Sequence, residues 1–505
     1  MIRRLASLLL TLTLFTGCGK DPVPEREWIR VQPELLLAGA QGSQTTFVVT
    51  ALGEWSLTAT GEGFTASSPG GSRGETLVTV TATEDNPGKY RRTLGRITLH
   101  YAANGTERTV EVLQGPVTAP QTVLLYMPGR SLNTFYKRNI EGIRKAVSAR
   151  VPGDGRMLVC WQPESLYEAE LYEISYDYAT QESRTVLLKS YPRFSADNTS
   201  SVAEVFADIQ TFAPAARYGL IIGCHGKAWI PASEGAMSSY SLRPDRTDEE
   251  AGWPAPAPGA LVTRSFGDAR NELDIDQLSQ AFRSLNYRFD YLLFDACFMA
   301  SIETIYDLRE AVDYYIASPC EIMGAGFPYD RTLPYLFAQE GAAYDLQRVC
   351  EEFYRFYNDD WQSVDTNARS GCISLAVLSE IAPLAEVVRR INESGLQAFD
   401  PAALQYYEGM GTHLFYDLGH YVALACDDTA LRTDFAAQLD KAFPPACRLA
   451  TPAFYSVYNP YKAPGPGTGM HPVKHYSGVN TSEPSSKYAD AHKQTAWYLA
   501  THAGL

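Results

Sequence analysis

Apolar and polar residues alternate along the chain between about residues 26 and 116. The alternation is clear at 47–49 and 97–101, and it resumes at 110–112 after an Asn104-Gly105 pair. A period of two predicts strands with one buried face, and Asn-Gly favours a tight hairpin because it tolerates positive φ. We therefore predict a small antiparallel β-sandwich over residues 26–116.

After residue 120 the pattern changes to short apolar strands that alternate with amphipathic helices. The predicted strands are 122–127, 157–160, 218–223, 287–294 and 314–317. The predicted helices are 136–150, one that begins at Thr199 or Ser200, 274–285 and 298–311. Such alternation requires right-handed crossovers and predicts an α/β domain over residues 120–385, with a mainly parallel sheet flanked by helices on both faces. The helical pattern continues beyond about residue 385 and then gives way to a Pro/Gly-rich stretch at 463–472 and a closing segment rich in aromatic residues. We expect residues 386–505 to form a C-terminal subdomain.

The N-terminus has the pattern of an export signal. Arg3 and Arg4 precede an apolar run from about residue 5 to 15, and Thr16-Gly17-Cys18 follows it. This run is too short to span a bilayer, so residues 1–18 are predicted to form a cleaved export signal. A cysteine directly after small residues resembles a lipoprotein signal, which implies that cleavage leaves Cys18 as the lipidated first residue of the mature protein, anchored in the cell envelope. The alternative is an ordinary signal peptide with an incidental cysteine.

Size, charge and cysteine usage exclude some classes of function. A chain of 505 residues predicts two or three domains. A formal net charge of −15 opposes nucleic acid and anionic membrane surfaces as partners, so membrane contact is expected only through the lipid anchor. The nine cysteines form neither clusters nor a CxxC pair, so no metal site is predicted. Most of them are expected to be buried as small apolar residues.

Two predicted strands end in residues that can carry chemistry. The strand 218–223 is followed by Cys224-His225-Gly226, and the strand 287–294 is followed by Asp295-Ala296-Cys297. Reactive groups of open parallel sheets lie beyond the carboxyl ends of strands. A cysteine at the start of a helix would have its thiolate favoured, and an imidazole nearby could accept the thiol proton. Alone, either residue is more often structural, but here both end strands of one predicted sheet.

These two motifs resemble those of clostripain-type peptidases, which are relatives of caspases, gingipains and legumain. Those enzymes share a strand followed by His-Gly and a later strand followed by Asp-Ala-Cys. The similarity extends over residues 120–385, through Lys227-Ala228-Trp229, 264–268, Ser301-Ile302-Glu303 and 326–329. The resemblance implies a caspase-like fold and an exported cysteine endopeptidase that cleaves polypeptides after Arg, and then Lys, through a thioester acyl-enzyme.

The resemblance also implies roles for individual residues. His225 and Cys297 form the catalytic dyad, and the backbone N–H groups of Gly226 and Cys297 bind the oxyanion. Asp295 forms the base of the specificity pocket, where a guanidinium meets a carboxylate bidentately and lysine offers only a point charge. The alternative for Asp295 is a cap of the predicted helix 298–311, and one carboxylate could do both.

Cofactor and partner predictions follow from the same comparison. The dyad requires no cofactor, but relatives sometimes need calcium, and Asp274-Ile275-Asp276 is either a calcium-binding segment or, as we prefer, a helix cap. The loop 128–131 differs from the acidic, asparagine-containing segment that relatives commonly have there, which puts any calcium or substrate contact from that loop in doubt.

The N-terminal segment resembles BACON-type modules in Trp28, Trp55, the spacing from Gly88 to Arg96 and Val112-Leu113-Gln114. This implies an immunoglobulin-like sandwich that either binds glycans or acts as a spacer. Trp28 and Trp55 are more often core fillers than sugar platforms.

Two further alternatives concern activity. The chain could be a catalytically silent envelope lipoprotein with a glycan-binding sandwich and a caspase-like scaffold, or a transpeptidase that uses the same dyad. The long segment 227–270 interrupts the α/β pattern, and loops of that length are often functional. Arg243 and Arg246 in it suit the specificity expected of Asp295, so self-cleavage after either is one hypothesis, and an uncut surface insertion is the rival.

Overall fold

The computed structural model describes residues 28–87, 92–115, 118–153, 155–163, 167–177, 181–232, 261, 272–338, 344–361, 369–458 and 469–504. The predicted signal peptide with Cys18 lies outside the described residues, as do Arg243 and Arg246, so those predictions stay predictions.

The N-terminal strands form two sheets within the described residues. The strands are β1 (Ile29–Gln32), β2 (Leu35–Ala38), β3 (Gln44–Ala51), β4 (Trp55–Gly61), β5 (Phe64–Ala66), β6 (Gly70–Gly71), β7 (Gly74–Ala82), β8 (Arg92–Tyr101) and β9 (Glu107–Gln114). Their orders are β1-β3-β7-β5 and β2-β9-β8-β4-β6, and the inward side chains of both sheets form one core. One pairing departs from the expected antiparallel pattern, because β2 pairs with β9 in parallel.

Local details of this region match the sequence pattern. The hairpin between β8 and β9 turns at Gly105, whose φ is +72°, and Asn104 accepts hydrogen bonds from the backbone N–H and hydroxyl of Thr106. Trp55 is only 4% exposed and belongs to the core, so it fills the interior as preferred above and offers no platform for a sugar. The immunoglobulin-like assignment itself remains a prediction.

A mixed sheet of eight strands forms the centre of the described part beyond residue 118. Its strands are β10 (Thr122–Met127), β11 (Arg156–Trp161), β12 (Ala169–Asp177), β13 (Glu182–Tyr191), β14 (Tyr218–Gly223), β15 (Phe289–Asp295), β16 (Val312–Ala317) and β17 (Ser374–Val377). The order is β13-β12-β11-β10-β14-β15-β16-β17. The five strands from β11 to β16 along this order are parallel, whereas β12, β13 and β17 pair antiparallel at the edges. The sheet is therefore parallel at its centre, as the prediction of a mainly parallel sheet requires, and antiparallel at both edges.

Helices cover both faces of this sheet. They are α1 (Asn133–Ser148), α2 (Thr199–Phe212), α3 (Ile275–Arg283), α4 (Ile302–Leu308), α5 (Tyr329–Leu336), α6 (Leu346–Arg355) and α7 (Ile381–Glu393), with short turns at Phe356–Asp360 and Leu378–Glu380. One face, here the α1 face, packs Val123, Ile221 and Leu293 against α1, α5 and α6. The opposite α2 face packs the intervening strand residues, such as Leu220 and Leu292, against α2, α3, α4 and α7. The helix predicted at 298–311 is wrong at its start, because α4 begins only at Ile302.

The C-terminal residues pack onto the same core. They contain α8 (Leu418–Ala425), α9 (Thr429–Ala442), α10 (Ala489–His492) and α11 (Ala496–Thr501), the short strands β18 (Tyr416–Asp417), β19 (Ala453–Tyr455), β20 (Met470–Pro472) and β21 (Asn480–Thr481), and 3₁₀ turns at Pro401–Ala403 and Pro445–Cys447. Tyr407 and Phe454 lie in the α1-face core, and Leu418 and Trp497 lie in the α2-face core. In the part of the chain that the structure describes, no helix is long and apolar enough to cross a membrane.

Candidate active site

Neighbouring parallel strands bring three candidate side chains to one edge of the sheet. In the register of β14 and β15, Gly223 lies opposite Asp295. His225 follows Gly223 by two residues, and Cys297 follows Asp295 by two residues. From the strand on the other side of β14, the loop after β10 carries Ser131, whose Oγ is 2.7 Å from Nε2 of His225. The carboxyl ends of adjacent parallel strands thus bring the loops that carry an imidazole, a thiol and a hydroxyl to the same edge of the sheet.

Gly226 lies where the His225 loop packs directly against the Cys297 loop. A Cβ atom on Gly226 would lie 2.4 Å from the backbone oxygen of Cys297 and 3.0 Å from Sδ of Met299. Neither distance leaves room for a methyl group, so glycine is required for the backbones to meet. The close packing of the two loops thus gives Gly226 a structural role within the protein.

The Cys297 thiol is fully buried and contacts the loop after β16. The backbone N–H of Ile322 donates a hydrogen bond to Sγ at 3.1 Å, and Sγ lies 3.5 Å from the carbonyl oxygen of the same residue. The sequence argument placed Cys297 at a helix N-terminus, which is wrong because α4 begins five residues later. The backbone N–H of Ile322 therefore acts as a donor at the sulfur, and donation to a thiolate favours that charged form.

Phe298 explains why the helix does not begin directly after Cys297. Its φ is +61°, a left-handed conformation that costs a bulky residue about 1–3 kcal/mol. Two contacts hold it there: its N–H donates to the carbonyl of Cys320 at 3.0 Å, and its ring stacks on Phe415 at 4.7 Å. The resulting sharp turn aims the chain away from the strand direction just beyond the thiol.

The other cysteines near the site do not compete with Cys297. Cys224 precedes His225 but packs against the α2 face, whereas Cys297 lies on the α1 face. Burial, followed by contact with Cys372, raises the pKa of the Cys320 thiol well above its ordinary value. The described cysteines other than Cys224 and Cys297 are buried and form no disulfide, in agreement with the expectation that they act as small apolar residues.

Asp295 is fully buried at the base of the site. Its Oδ2 accepts hydrogen bonds from the Tyr329 hydroxyl at 2.8 Å and from the Phe327 N–H at 3.2 Å. The alternative in which Asp295 caps the following helix is wrong, because Ser301 occupies the N-cap position of α4. Both donors belong to the α1-face core that also contains Cys297, in agreement with a carboxylate that lines a space beside the thiol.

The described residues contain no group of three or more His, Cys, Asp and Glu side chains that could hold a metal ion. Asp274 occupies the N-cap position of α3, where its N–H donates to Gln277 Oε1 at 3.1 Å and its own Oδ1 accepts from the Ala232 N–H at 2.6 Å. This confirms the capping interpretation of that segment. A calcium requirement stays untested.

Sequence reasoning missed two contacts with the candidate pair. Ser131 was noted only as a departure from the pattern of relatives, and Ile322 was not considered at all. The signal for Ser131 was topological: β10 is adjacent to β14, so the residues after β10 must lie near His225. The Ile322 contact depends on the path of a loop and has no pattern in the sequence.

A buried thiol and an imidazole that follow adjacent parallel strands, with a buried carboxylate at the end of one of them, are the groups that a cysteine-dependent hydrolase requires. A family model described as the clostripain family matches residues 262–412, a range that includes Asp295 and Cys297 and begins after His225. No curated protein sequence matches the chain.

Solved structures of cysteine proteases are similar to most of the chain. A secreted C11 cysteine protease of Bacteroides thetaiotaomicron, "iotapain", is 29% identical with a TM-score of 0.64, over 77% of this chain and all of that one. An inactive zymogen of a C11 protease from Parabacteroides distasonis is 24% identical with a TM-score of 0.60, over 77% of this chain and 99% of that one. A further secreted C11 protease of B. thetaiotaomicron, solved with an irreversible peptide inhibitor, is 22% identical with a TM-score of 0.59, over 75% of this chain and 98% of that one. The chain belongs to the clostripain family of cysteine peptidases.

Proposed function

We propose that the protein is an exported endopeptidase that hydrolyses peptide bonds after Arg, and less readily after Lys, with Cys297 as nucleophile and His225 as general base. The observation that carries this proposal is the register of β14 and β15, together with the contact of Gly226 with the Cys297 carbonyl. These two observations support the proposal, because they bring the loops that carry His225 and Cys297 to the same end of the sheet.

The chemistry proceeds in two steps. His225 takes the proton of the Cys297 thiol, the thiolate adds to the scissile carbonyl carbon, and the developing oxyanion is bound by the backbone N–H groups of Gly226 and Cys297. His225 then gives the proton to the leaving amine as the C–N bond breaks and a thioester remains. Water, deprotonated by His225, hydrolyses the thioester and restores the thiol.

The contact between Ser131 and Nε2 of His225 suits a tautomer in which Nε2 carries the proton. When its hydroxyl accepts a hydrogen bond from Nε2–H of His225, the lone pair is on Nδ1, which is the nitrogen that takes the thiol proton. Donation from Nε2–H to an oxygen also stabilises the imidazolium that forms after the proton moves.

Asp295 is the proposed determinant of specificity. Asp295 is buried, and a guanidinium is the substrate group that a carboxylate binds best, because it donates two parallel hydrogen bonds to the two oxygens. Because Asp295 is fully buried, we expect that the side chains that cover it move when the guanidinium enters. Tyr329 and the Phe327 N–H hold one oxygen in place, which fixes the orientation of the carboxylate.

Export and anchoring complete the proposal. The N-terminal pattern and the description of the relative "iotapain" as secreted support export. Lipidation of Cys18 is the proposed anchor, and the mass of the mature N-terminal peptide tests it: a free amino terminus at any other residue excludes the anchor.

Turnover of matched peptides by the mature chain tests the catalytic proposal. Peptides that differ only in Arg, Lys or Gln at the cleavage position should be cleaved in that order, with Gln far behind. Cys297→Ala should abolish turnover and His225→Ala should lower it by orders of magnitude, whereas Cys224→Ala should retain it because that thiol faces the other side of the sheet. Turnover retained in Cys297→Ala would exclude the assignment. An inactive but folded wild type would favour the catalytically silent scaffold.

A further inference from the structure

The C-terminal segment Asn480–Ser482 lies between the two loops that carry the proposed catalytic pair. All three residues are buried. Asn480 contacts the turn after Cys297, and Ser482 contacts the segment that follows His225. These contacts give residues 386–505 a candidate role in holding the loops of the proposed catalytic pair.

Asn480 joins the turn after Cys297 to the loop after β16. Its backbone N–H donates to the Ala300 carbonyl at 2.8 Å, and its Nδ2 donates to the Pro319 carbonyl at 2.8 Å. The two segments also bond to each other directly, since the Ala300 N–H donates to Ser318 at 2.9 Å. The loop held in this way leads directly to Ile322, whose N–H contacts the Cys297 sulfur. Asn480 therefore restrains the backbone on both sides of the thiol.

Ser482 acts on the other catalytic loop. Its Oγ accepts a hydrogen bond at 2.9 Å from Nε1 of Trp229, a buried residue four positions after His225. The Trp229 ring also meets the ring of His492 edge to face, with centroids 5.2 Å apart. The path of the chain beyond His225-Gly226 is thereby fixed by the C-terminal segment.

Glu303 anchors the segment to α4. Its Oε1 accepts hydrogen bonds from the Thr481 hydroxyl, the Ser482 N–H and Nε2 of His492 at 2.9, 2.8 and 3.0 Å. Its Oε2 accepts from the Ser301 hydroxyl at 2.5 Å. Every one of these groups is buried, so the carboxylate is compensated by donors on all sides rather than by solvent.

We propose that Asn480 and Ser482 are positioning residues for the peptidase reaction: they hold the Cys297 and His225 loops at the separation that proton transfer and attack require. This inference rests on the proposed assignment of the catalytic pair. Neither residue is placed in contact with substrate, so their effect acts through the two loops. Because attack depends on distances within a fraction of an ångström, loss of either restraint should lower kcat and leave KM nearly unchanged.

Asn480→Ala compared with Asn392→Ala provides the first test. Asn392 is a matched control in the same subdomain, because it is also buried and its Nδ2 also donates to a backbone carbonyl, that of Thr501 at 3.0 Å. Among the described residues, the Oδ1 atoms of both Asn392 and Asn480 have no hydrogen-bond partner. Both substitutions should lower Tm to a similar extent. Only Asn480→Ala should lower kcat, by at least tenfold, with KM within twofold of wild type. Retained kcat in Asn480→Ala, or an equal loss of kcat in both variants, would overturn the inference.

A double-mutant cycle provides a second test that stands even if Asn480→Ala does not fold. Ser482→Ala removes the acceptor and Trp229→Phe removes the donor of one hydrogen bond. If that bond positions the loop, each single variant lowers kcat and the double variant lowers it little further, because the second change removes an interaction already lost. Strictly additive losses, or no loss in either single variant, would contradict the proposal.

The outcome also separates this inference from the proposed function. If Cys297→Ala keeps wild-type turnover, the catalytic assignment fails, and the positioning role fails with it. If turnover requires Cys297 and His225 but is unaffected by the Asn480 and Ser482 substitutions, only the positioning role fails.

Discussion

Replacement of Gly226 by alanine should disable the enzyme by displacement of one catalytic loop from the other. The new Cβ atom would lie 2.4 Å from the Cys297 carbonyl oxygen, which belongs to the backbone and cannot rotate away. Cβ atoms essentially never approach another atom more closely than 3.0 Å, so the two loops would have to move apart by about 0.6 Å to reach that distance. An ordinary contact of 3.4 Å would require a movement of about 1 Å. A misplacement of about 1 Å costs roughly a hundredfold in rate. We therefore expect kcat/KM to fall about a hundredfold in Gly226→Ala.

Steady-state kinetics with an arginyl peptide, together with Tm, measures this effect. Gly142→Ala is the control, because a Cβ there meets its nearest atom, the Asp330 nitrogen, at an ordinary 3.4 Å, and alanine inside a helix is favoured by about 0.5–1 kcal/mol. The control should keep kcat/KM within twofold and raise or maintain Tm. If Gly226→Ala remains within threefold of wild type, the two loops are not in the contact described here and the reasoning is refuted.

Three other substitutions test neighbouring parts of the account. Ser131→Ala should lower kcat about tenfold with KM unchanged, because a buried hydrogen bond to a charged imidazolium is worth about 1.5–3 kcal/mol and one to an exposed serine is worth less. Ser131→Thr keeps the hydroxyl and should retain most of the wild-type kcat. Asp295→Asn should reduce the preference for Arg over Gln about ten- to a hundredfold while the protein stays folded, and an unchanged preference would assign the pocket to another acidic residue. Burial alone would raise the pKa of Glu303 and lower that of His492, but their mutual hydrogen bond and charge outweigh it, so the pKa of Glu303 is held below 4.5 and that of His492 above 6.5. The pair should therefore contribute its full stabilisation between pH 4.5 and 6.5. This contribution should fall as pH drops through the folded-state pKa of Glu303, and also as pH rises through the folded-state pKa of His492. A Tm difference between wild type and Glu303→Gln that does not depend on pH would contradict this expectation.

The core strands, and the positions of His225 and Cys297 just beyond the ends of two of them, could be predicted from the sequence because they depend on local pattern. Buried parallel strands appear as continuous apolar runs, and the strands ending before His225 and Cys297 were placed within two residues of their observed bounds. The antiparallel hairpin formed by β12 and β13 was missed, although Ala169, Leu171 and Glu173 are buried with the period of two that marks a strand.

The remaining features could not be predicted because they depend on distant contacts. Helix propensity favours a helix directly after Cys297, but the Cys320 carbonyl and the Phe415 ring stabilise a left-handed Phe298 instead. Asn480 lies more than 160 residues along the chain from the Pro319 carbonyl that it contacts. No local pattern records such a pairing, so the role of the C-terminal residues is visible only in the folded chain.

Mass-spectrometric mapping of an active-site label tests the central claim most directly. The mature protein would be treated with an arginyl acyloxymethyl ketone, which alkylates an activated thiol beside a bound arginine, and then digested and sequenced. The account predicts a single adduct on Cys297, formed slowly or not at all in His225→Ala and absent from Cys297→Ala. An adduct on Cys224 or another cysteine, with Cys297 unmodified in active enzyme, would contradict it.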